Sequence, residues 1–407
     1  MLLILLISWK IFIISIISVV IFNFTFLSIN DTRKIIDIQG NYKIVNVISS
    51  GYVVEKNNLK ILLKTKNYYN LDDLLSIEKT LTESLKDKKD KYNFYLKSLG
   101  INYIVNNPTM KKMNNKTSIR SKILNYISTG PDYYVKYISL ILIGKKNDSN
   151  AELYERVKII SILHLFVISG FHINLLIFIL LKFFKKMKIS HNYASLISFI
   201  IIGIYLYILN FPISSVRSFL FLIFIFLNNY FNKNKLSRIN ILTIIMLSMF
   251  LINPFIIFSL SFILSFSISF SILLISNVRW RKYKPIIISS CAYLASIILS
   301  ININGWFNIF GFFNSIIFSP IIVLNYIVSI LGFPFKSLLN NYYIFIDSII
   351  NIFYVNSLVV NLTINNLFID IYYLFFWFSL IIINHYYSIR YIDVVRNKNM
   401  CISNIRK

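Results

Sequence analysis

The sequence predicts a polytopic α-helical membrane protein of about ten helices, some of them re-entrant or broken, with a small extracytoplasmic β-barrel domain inserted after the first helix. Three observations carry this prediction. The 407 residues are 57% hydrophobic and 16% aromatic, and their mean hydropathy of +0.67 is one that soluble globular domains do not show. Apolar runs of near-spanning length recur from residue 157 onward. Between residues 30 and 155, by contrast, charged residues are frequent and no run reaches the ~20 residues that a span requires.

A formal charge of +26 points towards polyanionic partners, nucleic acid or anionic lipid, because a basic surface concentrates them. Part of that excess reflects the overuse of Ile, Asn, Lys, Tyr and Phe that an AT-rich coding sequence enforces. Cys291 and Cys401 are the only cysteines, which leaves no disulfide framework and no thiolate metal site. The four histidines, His164, His172, His191 and His385, are equally sparse, and neither a metal nor a cofactor is expected.

Residues 1–28 are apolar apart from Trp9, Lys10 and scattered Ser and Asn, and carry no small-x-small cleavage site, so they are expected to form an uncleaved anchor helix. Residues 29–133 form the expected outer domain. Its runs at 42–54 and 59–65 are β-like and are separated by the turn-forming Lys56-Asn57-Asn58. Residues 71–90 read as a charged helix, acidic at its start and lysine-rich at its end, in the sense that complements a helix dipole. A further extended piece is expected over 92–105. Residues 119–142 read as one amphipathic helix, and 134–156 as the interfacial segment by which the chain reaches the bilayer.

The polytopic domain covers 157–386, with apolar runs near 157–181, 191–209, 214–228, 239–252, 254–276, 285–303, 307–333, 341–361 and 366–386. Pro254, Pro320 and Pro334 mark expected breaks or boundaries. Lysine and arginine fall in alternate connections: Lys182 to Lys188, Lys233 to Arg238, Arg279 to Lys284, Lys336, and the tail at 387–407. The connections near Pro212, Asn253, Gly305 and Ile364 carry none. By the positive-inside rule the basic loops and both termini are cytoplasmic, in the cell membrane, and 29–156 lies outside.

Polar clusters inside these runs are the candidate site, since polar groups in hydrocarbon are costly to insert. In HLFVISGFHINL, His164 and His172 are offset by roughly 80° and about 12 Å on an ideal helix, too far to share a metal unless Gly170 breaks it. Ser169 is placed to hydrogen-bond His172. A Ser-His nucleophile pair, a proton relay, a pore lining and a structural hydrogen-bond network between helices all fit these residues. The nucleophile reading is the weakest of these, because the intramembrane serine-protease pattern wants glycine two residues before the serine, where Val167 stands. Arg217 lies inside an apolar run at a cost of roughly 2.5–3.5 kcal/mol on insertion scales, with Asp347 and Asp370 as candidate counter-charges. Six serines from Ser259 to Ser271 alternate with period two, odd for a helix and suited to close packing or an unwound segment.

Several of these pieces, in order, resemble the ComEC family of competence proteins, inner-membrane channels for DNA uptake in natural transformation. HLFVISGFHI is similar to the family's His-Leu-x-x-x-Ser-Gly-x-His core, YLKSLGI to its Tyr-Leu-x-x-x-Gly-Ile element, and the stretch around Gly144 to its Leu-Leu-x-Gly approach. FPISSVRSFLF aligns Pro212, Ser215 and Arg217 with a Pro-Ser-x-x-Arg segment. LINPFIIFSLSFILSF aligns Asn253, Pro254, Phe262, Leu264 and Ser265 with an Asp-Pro and Phe-Gln-Leu-Ser pattern, with Ile263 at the usual Gln and Ser261 at the usual Gly. FFNSIIFSP aligns Asn314 and Pro320 with an Asn-Leu-Leu-x-x-Pro stretch.

The resemblance implies a channel that imports single-stranded DNA, with an OB-like outer barrel to receive the strand. It implies a path along His164, Ser169, Gly170, His172, Arg217, Ser265, Asn314 and Pro320. Implied partners are single-stranded DNA, the bilayer, an external DNA receptor, a cytoplasmic helicase or ATPase, and further copies in a homo-oligomer. Many members carry a C-terminal metallo-β-lactamase-like domain with a His-x-His-x-Asp-His site. That motif is absent here, so the chain is expected not to be an enzyme, and a separate nuclease would supply strand degradation. A small-solute or lipid permease, and an intramembrane hydrolase using Ser169 and His172, are the alternatives.

Overall fold

The computed structural model describes residues 35–48, 51–57, 59–65, 69, 73–83, 91–113, 118–144, 146, 148–231, 236–275 and 305–362, with the single positions 20, 287, 290, 293, 294, 297 and 301. The expected anchor helix (apart from Val20), the last apolar run, the basic tail and Asp370 lie outside them. The chain divides into two compact units, Met1–Thr129 with Leu176–Leu236 and Asn240–Ile263, and Gly130–Leu175 with Ser237–Ile239 and Leu264–Lys407.

In the first unit, strands β1 (Ile35–Ile48), β2 (Gly51–Lys56), β3 (Leu59–Lys64), β4 (Leu74–Glu83), β5 (Ile101–Asn106) and β6 (Met110–Met113) form one sheet in the order β5-β3-β2-β1-β4-β6. Only β3 and β5 pair in parallel. Helix α1 (Lys91–Ser98) makes the crossover between β4 and β5. Alternation decides the faces: Ile61 and Leu63 join Tyr42, Ile44, Leu75, Ile77 and Tyr103 in one core, while Leu62 joins Val53 and Leu96 of α1 on the other. Gly51 is required where β2 meets β3. Its φ is +147°, and a Cβ there would lie 2.2 Å from the Leu63 carbonyl oxygen.

Three sequence expectations change here. Residues 74–83 are a strand rather than part of a charged helix, because Leu75 and Ile77 alternate into the core and β4 pairs with both β1 and β6. The expected extended piece at 92–105 is α1 followed by β5. The expected barrel or partial barrel is not closed among the described residues: they form one six-stranded sheet whose edge strands are β5 and β6, and β6 pairs with β4.

The expected single helix over 119–142 is two, α2 (Ile119–Ser128) and α3 (Asp132–Ile141), parted where Gly130-Pro131 cannot continue a helix. Ser118 caps α2 by accepting from the Ser121 N–H, and Arg120 donates to the Val45 carbonyl of the sheet. The interfacial segment continues as α4 (Ala151–Ile159).

Helices α5 (Leu163–Phe166), α6 (Gly170–Lys186), α7 (His191–Leu209), α8 (Ile213–Phe231), α9 (Arg238–Ile252), α10 (Leu260–Ile275), α11 (Gly311–Gly332) and α12 (Lys336–Val355) follow. Among the described residues, four segments are long and apolar enough to cross a membrane: Leu163–Lys186, which joins α5 and α6, and helices α7, α8 and α11; α9 and α10 are shorter apolar helices. The chain is thus a mostly helical membrane protein with a separate N-terminal β-sheet domain.

Pro320 does not break its helix. It sits inside α11, where the helix continues to Gly332. The alternating serines do not unwind α10 either: Ser269 donates to the Ser265 carbonyl and Ser271 to that of Ser267, so these two hydroxyls are satisfied within a regular helix. In the second unit β7 (Trp306–Asn308) and β8 (Val359–Asn361) pair antiparallel and tie together the outer ends of the α11–α12 hairpin.

Candidate functional site

The run that opens the polytopic domain contains a built discontinuity. After the single turn of α5, Val167 turns to an extended conformation (ψ 140°), and α6 begins at Gly170. Ser169 occupies the cap. Its Oγ accepts from the Phe171 N–H at 3.3 Å, while Nδ1 of His172 accepts the Ser169 N–H at 3.1 Å. This is a capping box in which an imidazole nitrogen takes the place of the usual Glu or Gln side chain three residues into the helix.

That geometry fixes the tautomer. A nitrogen that accepts a backbone N–H carries a lone pair, so the ring proton sits on Nε2 and the imidazole is neutral. Nε2 is buried and has no hydrogen-bond partner within bonding geometry among the described residues, and the ring meets Tyr326 edge-on at 4.7 Å. Ser169 Oγ lies 3.2 Å from Nδ1, but the lone pair that would take its proton already serves the backbone. The pair has the geometry of a cap rather than of a nucleophile and its base. His164 stands apart: it is exposed on α5, whereas His172 is wholly buried.

Around this break β7 and α11 together hold the end of α4. Asn308 donates to the Ile159 carbonyl at 3.0 Å and Asn314 to the Ile160 carbonyl at 3.1 Å, satisfying two acceptors left over at the helix end. Ser161 takes a left-handed conformation there (φ 64°) and packs directly on Gly311, where a Cβ would come within 2.8 Å of the serine Cβ. Asn314, expected to line a path, is therefore a clamp on this turn. Pro320 faces outward on the same helix.

The strongest polar cluster of the second unit includes residues that sequence reasoning did not connect. Arg156 of α4 grips Asp347 of α12 through two bonds, Nη2 to Oδ1 at 2.8 Å and Nη1 to Oδ2 at 3.2 Å. Tyr137 of α3 donates to the same Oδ1 at 2.9 Å, and its ring stacks on Tyr343 at 4.7 Å. Burial, and then the Asp347 carboxylate, hold the Tyr137 hydroxyl well above its ordinary pKa. Asp347 was a candidate counter-charge for Arg217; Arg156 occupies it instead. No sequence signal joined them, because Arg156 and Asp347 stand 191 positions apart.

In the first unit, Ser215, Arg217 and Ser218 form a buried polar patch near the start of α8. Arg217 is 9% exposed and its Nη2 donates to Ser218 Oγ at 3.0 Å; the Ser215 hydroxyl is fully buried with no hydrogen-bond partner among the described residues. Ser265 lies half-buried on α10, its carbonyl taken by Ser269. Among the described residues no group of three or more His, Cys, Asp or Glu side chains is placed to hold a metal ion.

Two relatives are similar over much of this region, and both are described as uncharacterized. One, from Mycoplasma genitalium, is 28% identical over 248 residues, 60% of this chain and 61% of its own length. The other, from Mycoplasma pneumoniae, is 25% identical over 201 residues, 49% of this chain and 52% of its own. The chain thus spans less than two thirds of either relative. No solved structure matches it. The profile of the family described as Competence protein matches residues 141–389, which takes in the capped break, Arg217, the Asn314 clamp and Asp347. With more than half of its length inside that match, the chain belongs to the Competence protein family.

Proposed function

We propose that the chain forms the cytoplasmic-membrane path through which single-stranded DNA is imported during DNA uptake, and that the outer β-sheet domain receives the strand. The observation that carries the reading is the charge pattern within the family region. Every Asp, Glu, Lys or Arg from Arg156 to Lys336 is cationic, and one of them, Arg217, is buried in an apolar helix. A phosphate backbone carries a negative charge at each nucleotide, and a path free of carboxylates and lined by cations and aromatic rings is the environment it needs.

In this reading Arg217 is the phosphate contact within the membrane. The capped break at Ser169 and His172 shapes the wall, and His164 faces the path. The basic loops lie in the cytoplasm and the sheet domain outside. The chain does no chemistry on the strand itself. A receptor outside, a motor inside, and a nuclease on another polypeptide complete the system.

The experiment is complementation of transformation in a competent host lacking its own channel, with surface-bound and internalised DNA scored separately. Arg217→Ala is expected to abolish internalisation and leave surface binding intact, with Arg217→Lys intermediate. Uptake unchanged in Arg217→Ala would remove the phosphate-path reading, and transport of a neutral solute by that variant would favour a permease.

A further inference from the structure

The end of α6 carries a charge arrangement that the DNA path does not use. Lys182, Lys185 and Lys186 are three and four residues apart, which places them within roughly 100° of the helix circumference, and Lys188 follows at the turn. All four are exposed, and none of their ammonium groups makes an ion pair or a hydrogen bond among the described residues. Like charges at these spacings repel. The helix end does not absorb them through its carbonyls: Met187, Lys188 and Ile189 donate backbone N–H groups to the carbonyls of Phe183, Lys185 and Phe184. Nor is there an acid nearby in sequence, since none occurs between Glu155 and Asp347.

Apolar side chains are interleaved with the lysines. Phe178, Phe183 and Met187 are exposed on the same end of the helix, as is Tyr193 at the start of α7, and Lys182 bends back so that its ammonium lies 6.0 Å from the Phe178 ring centre. A partner for this surface must be anionic and apolar within a few ångströms. Since Leu163–Lys186 is long and apolar enough to cross the bilayer, its end lies at headgroup depth, where acyl chain and phosphate adjoin.

We infer that the α6–α7 turn is a binding site for an anionic phospholipid, whose phosphate is held by Lys182, Lys185 and Lys186 and whose acyl chains lie against Phe178 and Phe183. The site is independent of the DNA path and needs only that α6 cross the membrane.

The test uses the full chain in nanodiscs of phosphatidylcholine with an equal part of phosphatidylglycerol, followed by mild detergent extraction and mass spectrometry of the lipid that stays bound. The wild type is expected to retain phosphatidylglycerol over phosphatidylcholine, and K182Q/K185Q/K186Q to lose that preference by at least about fivefold, the effect of a single lysine at an anionic surface. High salt is expected to reduce the wild-type preference. Equal retention by wild type and triple variant would overturn the site. So would binding of an oligonucleotide to this turn, in phosphatidylcholine discs, with no preference for the anionic lipid. If the triple variant does not fold, the single variants Lys185→Gln and Lys186→Gln, each expected to lose part of the preference, decide the question in the same assay.

Discussion

Leucine in place of Asp347 isolates the polar cluster between α3, α4 and α12. The substitution removes the acceptor of both Nη bonds of Arg156, whose side chain is 11% exposed, leaving it the more exposed Glu152 carboxylate 3.7 Å from Nε, and takes the acceptor from the Tyr137 hydroxyl. Breaking a buried, hydrogen-bonded ion pair from one side costs about 3–5 kcal/mol, and the residual exposure of both partners places this case near about 3 kcal/mol. That corresponds to a fall of roughly 6–12 °C in the thermal midpoint, read by size-exclusion fluorescence of the detergent-solubilised chain after heating. Replacing both partners by apolar residues is often neutral, so Arg156→Leu/Asp347→Leu is expected within about 1 kcal/mol of the wild type. A double variant as unstable as the sum of its singles would refute the pairing. So would a coupling of Asp347→Leu with Arg217→Leu in place of Arg156→Leu, because it would return Asp347 to the membrane arginine.

Other outcomes follow from the break and its clamps. His172→Gln keeps a side-chain acceptor for the Ser169 N–H and is expected to be mild, whereas His172→Leu strands that donor and should cost about 1–3 kcal/mol in the same thermal assay. Ser169→Ala should lose about 1 kcal/mol as a lost cap, and a serine-directed probe should label the wild type and this variant alike. Gly311→Ala pushes a methyl group into Ser161 and is expected to cost about 1–3 kcal/mol. Asn253→Ala removes two bonds to the carbonyls of Lys97 and Ser98, and should raise hydrogen exchange in α1 with little change in β2 and β3.

What the sequence made legible was governed by local pattern. The apolar runs announce α6, α7, α8 and α11 because a spanning helix needs only length and hydropathy. The β runs at 42–54 and 59–65 were legible as extended chain, the second as β3, but the first merges the end of β1 with most of β2, and the turn between those strands carried no sequence signal. Residues 74–83 were not, since Glu78 and Lys79 gave the stretch a helical charge pattern, and only pairing with the distant β1 and β6 makes it a strand.

The site divides in the same way. A break at Gly170 entered the sequence reading only as a condition, and the structure has one between α5 and α6; the Ser169–His172 contact was expected, but the function of His172 as a cap depends on a backbone N–H, which no residue letter encodes. The partner of Asp347 was illegible for a similar reason. Arg156 precedes it by 191 positions, and only the packing of α4 on α12 brings them together.

One contact constrains how often the chain passes through the membrane. Asn253, just after α9, binds the carbonyls of Lys97 and Ser98 at 3.3 and 3.0 Å, and Lys97 lies over the Phe255 ring, so residue 253 is on the same side of the bilayer as the sheet domain. A chain that leaves one side and returns to it has crossed an even number of times. Leu163–Lys186, α7 and α8 account for three crossings if each spans, and α9 must then be the fourth. At 15 residues α9 reaches only about 22 Å, less than the ~30 Å hydrocarbon core. If those three segments do span, parity asks α9 to cross as well, and the bilayer to thin by several ångströms around it.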